Sequence, residues 1–344
     1  MQVEVWKISG SSGFHFGRHG LGQEETLATM PSDSLFAALV NRLAVSAGGD
    51  VDAFMESFKP GEPSFALSST FPFAGGVLFF PVPFAAVGQI SNKGDAKRYK
   101  RVQYISQNLF TLLINGEKDL SEIYDESVRL MKDSVLVDAS EADKLPKEVR
   151  EDEMPIWKME TRPRVTLGRA AQNSALFFTG RVTYASECGL WFGMFWPKQN
   201  DALKNQVTDL FNELGDSGLG AERSVGFGGC EIEQSGTINL PAAVGRQWVS
   251  LSRYLPRKEE IDSLSQGAYK IVHVGGWLDS PVKRGQRRRS VNMLEEGATL
   301  GKALSAIPGD IAEVSPNYNG SNPLGHSVYR SGLALAVEWK GGLE

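Results

Sequence analysis

Residues 215–229 have the sequence Gly-Asp-Ser-Gly-Leu-Gly-Ala-Glu-Arg-Ser-Val-Gly-Phe-Gly-Gly, with six glycines. Upstream, apolar residues recur at helical spacing from Leu203 to Leu214, and downstream an alternating run predicts a strand. The stretch therefore leaves a helix and enters a strand, whereas the glycine turns of nucleotide-cofactor sites leave a strand and open a helix. A loop so rich in glycine can lie close along a polyanion, with Arg223 and Ser224 as donors. A flexible turn is the other interpretation.

The elements around this loop predict a first domain over residues 1–240. Their order is strand–helix–strand–strand–helix–strand, which is ferredoxin-like. The predicted elements are a strand at 2–9, a helix with Ser32 as its N-cap, edge strands or extended segments at 64–84, a hairpin between 176–184 and 189–196, a helix at 201–214, and the strand that follows the loop.

Residues 241–344 repeat the opening in outline. Strands are predicted from residue 247, at 269–277 and at 331–339, and a short helix at 258–264. The sequence therefore predicts an α+β protein with two ferredoxin-like (RRM-like) domains. A chain of 344 residues also exceeds the size at which single cores stop growing, roughly 250–300 residues.

The composition is that of an ordinary globular protein, with 41% hydrophobic and 22% charged residues. The net charge of −5 does not indicate a nucleic-acid-binding protein, so any such function must come from local patches of positive charge. Two cysteines give neither a zinc spacing nor a disulfide framework, which suits a reducing compartment. The N-terminus is not a signal peptide and no apolar run approaches the length of a spanning helix. We expect a soluble cytoplasmic protein without cofactor or metal.

Two segments carry concentrated positive charge. In the first, Lys93, Lys97, Arg98, Lys100 and Arg101 surround a tyrosine, within a zone at about 88–165 that we interpret as a protruding insertion. A basic run punctuated by tyrosine suits a surface that follows a nucleic-acid strand, although a solvated face is the commoner case. The second, residues 283–289, holds five bases in seven positions and is the strongest local positive patch.

Several motifs in order resemble the RAMP superfamily of CRISPR effector subunits. The similarity is greatest to the type III-A (Csm complex) subunit that caps the 5′ handle of the guide RNA; a type III-B counterpart in the same role is the near alternative. The motifs are Phe14-His-Phe-Gly17, Ser32-Asp-Ser-Leu-Phe-Ala-Ala-Leu39, Phe71-Pro-Phe73 with Pro81-Val-Pro83, Ser217-Gly-Leu-Gly-Ala-Glu-Arg-Ser-Val-Gly-Phe-Gly228, Ser250-Leu-Ser-Arg-Tyr-Leu-Pro256 and His326-Ser-Val-Tyr-Arg-Ser-Gly-Leu-Ala-Leu335.

The resemblance implies a non-catalytic, RNA-binding structural subunit for antiviral defence. The glycine loop and first helix would grip the repeat-derived handle of the crRNA. A thumb within 88–165 would contact the duplex of guide and target RNA. Other faces would dock the large polymerase-like subunit and a backbone RAMP subunit. Two departures from the family, Glu222 and the pair Gly229-Cys230, reduce the positive charge of the loop.

The candidate RNA-binding residues combine arginines for phosphates, aromatic rings for bases, and glycines and serines of the loop and first helix. For each arginine alone a surface salt bridge is the alternative, and Phe227 also suits a core position. The set is His15, Arg18, Ser32, Ser34, Arg164, Arg169, Gly218, Gly220, Arg223, Ser224, Gly226, Phe227, Gly228, Arg253, Tyr254 and Arg330, with Lys97, Arg98, Lys100 and Arg101 on the thumb.

His15 also allows a different class of function. Relatives in this superfamily cleave RNA with a histidine as general acid or base, so the alternative is an endoribonuclease that processes repeat RNA. Cleavage needs a second proton-transfer group and charge stabilisation, for which the residues around His15 give little support. We therefore predict no catalytic residue.

Overall fold

The computed structural model describes residues 1–17, 24–90, 96–167, 174–278, 285–318 and 320–342. Within these ranges the strands are β1 (Gln2–Ser9), β2 (Ala66–Leu67), β3 (Phe71–Ala74), β4 (Val77–Pro81), β5 (Tyr104–Ser106), β6 (Val128–Leu130), β7 (Val135–Val137), β8 (Trp157–Leu167), β9 (Ser174–Tyr184), β10 (Cys188–Phe195), β11 (Glu231–Asn239), β12 (Gln247–Ser250), β13 (Ile271–Val274), β14 (Val291–Leu294), β15 (Thr299–Lys302), β16 (Ile311–Glu313), β17 (Tyr329–Ser331) and β18 (Ala336–Glu338). The helices are α1 (Ser32–Val45), α2 (Val51–Glu56), α3 (Phe84–Gln89), α4 (Ala96–Tyr99), α5 (Gln107–Ile114), α6 (Leu120–Glu126), α7 (Lys147–Arg150) and α8 (Asp201–Ser217), with 3₁₀ segments at Ala139–Lys144, Arg223–Val225 and Lys258–Gln266.

Nine of the described strands form one sheet in the order β11-β1-β10-β3-β4-β5-β7-β6, with β2 also paired to β10. The first four are antiparallel to their neighbours. In chain order they alternate with α1 and α8 as strand–helix–strand–strand–helix–strand, which is the predicted order, although the first of the two middle strands is β3 rather than the predicted strand at 176–184. The α+β class is confirmed.

The sheet centres on β10 because that strand is apolar on both faces, as buried central strands are. Trp191 of β10 lies 5.8 Å from Phe71 and 4.8 Å from Phe80 between ring centroids. Its indole N–H donates to the carbonyl of Phe79 at 2.9 Å. On the helix side, Phe211 of α8 lies 5.1 Å from Phe192. The apolar stripe predicted upstream of the glycine loop therefore covers the sheet.

Two predictions for the first half are wrong. The zone at 88–165 does not protrude as one insertion, because β5, β6 and β7 continue the main sheet from β4. Its apolar residues pack into the main core, and Tyr99 is buried there against Tyr124. The strands at 71–81 are interior rather than edge strands, since β3 pairs with both β4 and β10.

The predicted hairpin between 176–184 and 189–196 is also wrong. β9 pairs instead with β8 over eleven residue pairs, from Trp157↔Tyr184 to Leu167↔Ser174. The strand at 189–196 enters the main sheet because both of its faces are apolar, whereas β8 and β9 form a separate two-stranded ribbon. We call this ribbon the long hairpin.

Beyond residue 240 the described chain forms a three-stranded sheet, β15-β12-β18, and the ribbons β13–β14 and β16–β17. A 3₁₀ segment takes the place of the predicted helix at 258–264, and the predicted strand at 331–339 is divided into β17 and β18. Leu333, Leu335 and Trp339 join the core of the main sheet. The division at residue 240 stays a prediction. In the described parts of the chain, no helix has both the length and the apolar character needed to cross a membrane.

Candidate nucleic-acid interface

The glycine loop is fastened to the segment that follows β1. Helix α8 ends at Ser217 and is capped by Gly218, whose φ of +84° suits glycine and whose N–H donates to the carbonyl of Leu214 at 2.8 Å. Further along, the N–H of Ala221 donates to the carbonyl of His15, and that of Gly228 to the carbonyl of Gly13, both at 2.9 Å. The loop is therefore held at both ends by backbone hydrogen bonds.

Most glycines of the loop are explained by close approach of the protein's own backbone. A Cβ on Gly228 would lie 2.2 Å from the carbonyl oxygen of Leu219, and one on Gly220 would lie 2.5 Å from that of His15. Gly226 differs: its φ is +91°, and no described atom lies within 4 Å of a Cβ placed there. Gly226 is thus the loop position most open to an incoming ligand.

The exposed tip of the loop runs from Glu222 to Gly226. Glu222 adopts a left-handed conformation at φ +62°, after which Arg223–Val225 form a 3₁₀ turn. Arg223, Ser224 and Val225 are exposed. The turn therefore presents the predicted arginine and serine donors to solvent.

The long hairpin supplies a charged face beside this tip. Side chains alternate across a strand pair, so Glu160, Arg162 and Arg164 of β8 share one face with Arg181 of β9. The Arg164 guanidinium lies 4.8 Å from the centroid of the Phe227 ring, and that of Arg181 lies 5.6 Å from it. Phe227 is half-buried beneath two cations rather than buried in the core.

Carboxylates partly balance these arginines. Arg164 lies 3.9 Å from Glu222, while Glu160 lies 2.7 Å from Arg162 and 3.4 Å from Arg181. The hydrogen bond from Arg162 lowers the pKa of Glu160, so this carboxylate stays ionised. We call the group of Arg162, Arg164, Arg181, Arg223, Phe227 and their two glutamates the hairpin–loop surface. It carries four cations and two anions in a chain whose net charge is negative.

His15 lies behind this surface. It is 4% exposed, and its Nδ1 lies 2.8 Å from the carbonyl oxygen of Gly180 in β9. A carbonyl only accepts, so Nδ1 carries the proton, and the ring ties the long hairpin to the segment that follows β1. The prediction that His15 contacts RNA is wrong for this conformation, because the side chain is buried. Arg18 and Arg169 lie outside the described residues.

Five further candidates are also enclosed by protein. Tyr254 is fully buried and donates to Glu260 at 3.2 Å, so its ring offers no face to a base. Burial raises its pKa above the ordinary range. Arg253 is 7% exposed, and its ion pairs with Glu295 and Glu296 replace the predicted phosphate contact.

The start of α1 completes this enclosed group. The Ser32 hydroxyl accepts from the backbone N–H of Arg253 at 2.9 Å, and the N-cap is Pro31 rather than Ser32. Arg330 donates to the carbonyl of Asp33 at 3.1 Å and lies 3.4 Å from the Ser34 hydroxyl. We call this group the junction. Its polar side chains join residues before and after 240 instead of facing solvent.

The basic residues assigned to the thumb lie on α4 and the turn after it. Arg98 packs over Tyr99 and Tyr124, and its guanidinium lies 3.6 Å from Asp125. The assignment of Lys97, Lys100 and Arg101 to a protruding insertion is wrong, although their side chains are exposed. Arg181 and the long hairpin were missed. The sequence pattern that could have revealed the hairpin is a charged residue at every second position from Lys158 to Arg164. Such alternation indicates a strand with one charged face.

Comparison with known proteins gives sequence relatives along nearly the whole chain. Residues 244–339 match the family model of the CRISPR Csm4 C-terminal domain. The CRISPR system Cms protein Csm4 of Thermococcus onnurineus is 23% identical over 320 residues, which cover 91% of this chain and 93% of the relative. The protein of the same name from Streptococcus thermophilus is 23% identical over 316 residues, covering 88% and 89%.

Solved structures show the same fold. A chain of the Csm3–Csm4 subcomplex in the type III-A CRISPR-Cas interference complex matches with a TM-score of 0.67 at 17% identity, covering 99% of this chain and 100% of that chain. A chain of the Csm1–Csm4 cassette in complex with cA4 matches with a TM-score of 0.59 at 17% identity, covering 99% and 98%. The predicted resemblance to the RAMP subunit of type III-A complexes is confirmed.

Proposed function

We propose that this chain, which is similar to Csm4 proteins over nearly its whole length, is the subunit of a type III CRISPR effector complex that holds the 5′ handle of the guide RNA. One observation carries the proposal: four arginines and a half-buried phenylalanine meet at the hairpin–loop surface. Guanidinium groups suit phosphates, and arginine or aromatic planes suit unstacked bases.

The proposed partners follow from the relatives. Csm4 chains occur in crystal structures of a Csm3–Csm4 subcomplex and of a Csm1–Csm4 cassette. We infer that the present chain likewise bridges a large polymerase-like subunit and a backbone RAMP subunit. The strand order around β1 supports a ferredoxin-like arrangement for residues 1–240. For residues 241–344 such an arrangement rests on the resemblance. The expected location is the cytoplasm.

The long hairpin replaces the zone at 88–165 as the proposed thumb. Its second face, opposite the arginines, exposes Met159, Val165, Leu176 and Phe178 by 40–63%. Apolar side chains on a narrow ribbon can pack against the edge of a nucleic-acid stack, as the inserted wedges of other proteins do. We propose that this face contacts the duplex of guide and target RNA next to the handle.

The subunit is proposed to be non-catalytic. The one histidine considered for catalysis, His15, is buried and bonded through Nδ1 to Gly180, so it has no path to an RNA backbone in this conformation. Repeat RNA incubated without metal should be cleaved by neither the unaltered chain nor His15→Ala. Metal-free cleavage that disappears in His15→Ala would instead establish the endoribonuclease alternative.

Binding of handle RNA tests the proposal. Arg164→Ala and Arg223→Ala should each weaken binding and each lower the slope of log affinity against log salt by about one ionic contact. Arg246→Ala is the control for loss of one positive charge, because Arg246 lies 3.8 Å from Glu338 in an ion pair outside the hairpin–loop surface, with a side chain more exposed than that of Arg164. Unchanged affinity and slope in both test variants would refute the role of this surface.

A further inference from the structure

The ribbon β13–β14 extends beyond its ladder toward the strongest basic run of the chain. Trp277 and Arg287 form a bridge, and the N–H of Leu278 donates to the carbonyl of Gln286 at 2.9 Å. Residues 279–284, between these segments, lie outside the described residues. The paired segments therefore carry the C-terminal half of the basic run on a defined two-stranded frame.

Two aromatic rings are exposed at this frame, Trp277 on one of its segments and Tyr318 beside the other. Trp277 is 62% exposed and Tyr318 is 49% exposed, both unusual for such large side chains. The Arg287 guanidinium lies 4.7 Å from the centroid of the Trp277 ring. The backbone N–H of Arg287 donates to the Tyr318 hydroxyl at 3.5 Å. Arg287 thus contacts both aromatic residues, through its guanidinium at the Trp277 ring and through its backbone N–H at the Tyr318 hydroxyl.

The charges of this surface are poorly balanced. Among the described residues, no carboxylate lies within ion-pair distance of Arg287, whereas Arg289 is paired with Glu313. Arg288 turns inward, donating to the carbonyls of Gly275 and Trp277. Burial, together with the charge of Arg330, lowers the pKa of Arg288 to about 9. Arg287 is therefore the arginine of this surface that has an exposed side chain and no described carboxylate partner.

We propose that Trp277, Tyr318 and Arg287 form a second binding site for single-stranded RNA, separate from the hairpin–loop surface. Bases would stack on the exposed ring faces, and Arg287 would contact a phosphate. A polyanion fits better than a protein partner, because Arg287 is a cation without a described carboxylate partner beside exposed rings on which bases can stack. The site extends the proposed function, since it does not use the residues assigned to the handle.

Binding of fluorescein-labelled decauridylate to the full chain at low salt tests the site. Trp277→Ala should weaken binding roughly 5- to 100-fold, the range for loss of one stacked base. Trp277→Phe should recover part of the affinity, and Arg287→Ala should also weaken it. Ile271→Ala is the control, because Ile271 is 66% exposed on the same ribbon but cannot stack. Thermal unfolding confirms that the variants are folded.

Crosslinking identifies where the RNA lies. Decauridylate carrying 4-thiouridine should crosslink to Trp277 or Tyr318 in both the unaltered chain and Arg164→Ala. If these crosslinks persist in Arg164→Ala, the second site is distinct from the hairpin–loop surface. If the role proposed for the hairpin–loop surface is wrong, only the binding of handle RNA would reveal it. The proposal is overturned if Trp277→Ala and Arg287→Ala bind decauridylate like the unaltered chain, or if crosslinks occur only elsewhere.

Discussion

At the scale of single residues, Phe227 shows how the loop and the hairpin become one surface. The ring leads into β11, a position that favours an inward side chain in sequence reasoning, yet two guanidinium groups cover it. Glu222 faces Arg164 at 3.9 Å and reduces the local positive charge. This glutamate is one of the two departures from the family noted in the sequence. Because the Glu222 carboxylate lies beside Arg164, this departure lowers the positive charge that the surface offers to a phosphate.

Replacing Glu222 tests that consequence. Glu222→Gln removes one negative charge beside Arg164 and should strengthen handle binding about two- to five-fold at low salt, since partly exposed pairs are worth roughly 0.2–1 kcal/mol. The measurement is a titration of labelled handle RNA. Glu62→Gln is the control for loss of one negative charge, because Glu62 lies 3.9 Å from Lys198 in a more exposed ion pair outside the hairpin–loop surface. Equal affinities for Glu222→Gln and the unaltered chain would show that Glu222 does not weaken the phosphate grip.

Alanine substitution of two glycines tests why the loop is rich in glycine. Gly228 and Gly226 have similar positive φ values of +85° and +91°, but only Gly228 has backbone within 4 Å of a placed Cβ. Gly226→Ala should cost about 1–2 kcal/mol of unfolding free energy from its conformation alone. Gly228→Ala should cost roughly 3 kcal/mol or more, because Leu219 must also move. Urea unfolding measures both, and equal losses would contradict the close-approach explanation.

At the scale of elements, the long hairpin marks where sequence reasoning failed. β9 and β10 follow each other closely and both look like strands, so pairing them was the natural expectation. β10 is instead buried on both faces within the main sheet, and β9 pairs back onto β8. Local alternation predicts that a strand exists; its partner depends on tertiary packing, which a single sequence does not display.

The exposed apolar face of the long hairpin gives a prediction in which RNA binding changes and stability does not. Val165→Ser and Leu176→Ser alter side chains that are 56% and 63% exposed, so unfolding free energy should change by no more than about 0.5 kcal/mol. In an assembled effector complex, the double variant should bind target RNA more weakly while retaining guide RNA. Val244→Ser, at 55% exposure elsewhere, is the matched control. Unchanged binding of target RNA would show that this face does not contact the duplex of guide and target RNA.

At the scale of the whole molecule, the junction explains why part of the predicted site was misplaced. Ser32, Arg253 and Arg330 belong to motifs of the resembled family, and their residue types suit RNA contacts. In the structure the Ser32 hydroxyl accepts a hydrogen bond from the backbone N–H of Arg253, and Arg330 donates to the carbonyl of Asp33. Both bonds join a residue before 240 to one after it. The helix of the glycine loop, the order of the first elements and the exposed loop tip were predictable from spacing. Which polar side chains are buried was not, because burial depends on how the halves meet.

Burial also predicts how the molecule responds to alkali. It raises the pKa of Tyr104 from about 10 to about 12, and those of Cys188 and Cys230 from about 9 to about 12. The unfolded chain loses these protons first, so stability is complete below about pH 9 and falls as pH rises toward 12. Tyr104 alone should cost on the order of 2 kcal/mol by pH 11.5. Urea midpoints that stay constant from pH 8 to 11 would contradict this.

The central claim is that the hairpin–loop surface holds the 5′ handle of a guide RNA. The most direct measurement is crosslinking in the assembled effector complex, with 4-thiouridine at successive handle positions and mass spectrometry of the crosslinked peptides. We predict crosslinks to residues 222–228 of the loop and to β8 or β9, and their loss in Arg164→Ala combined with Arg223→Ala. Handle crosslinks confined to other parts of this chain or to other subunits, unaffected by that double variant, would contradict the claim.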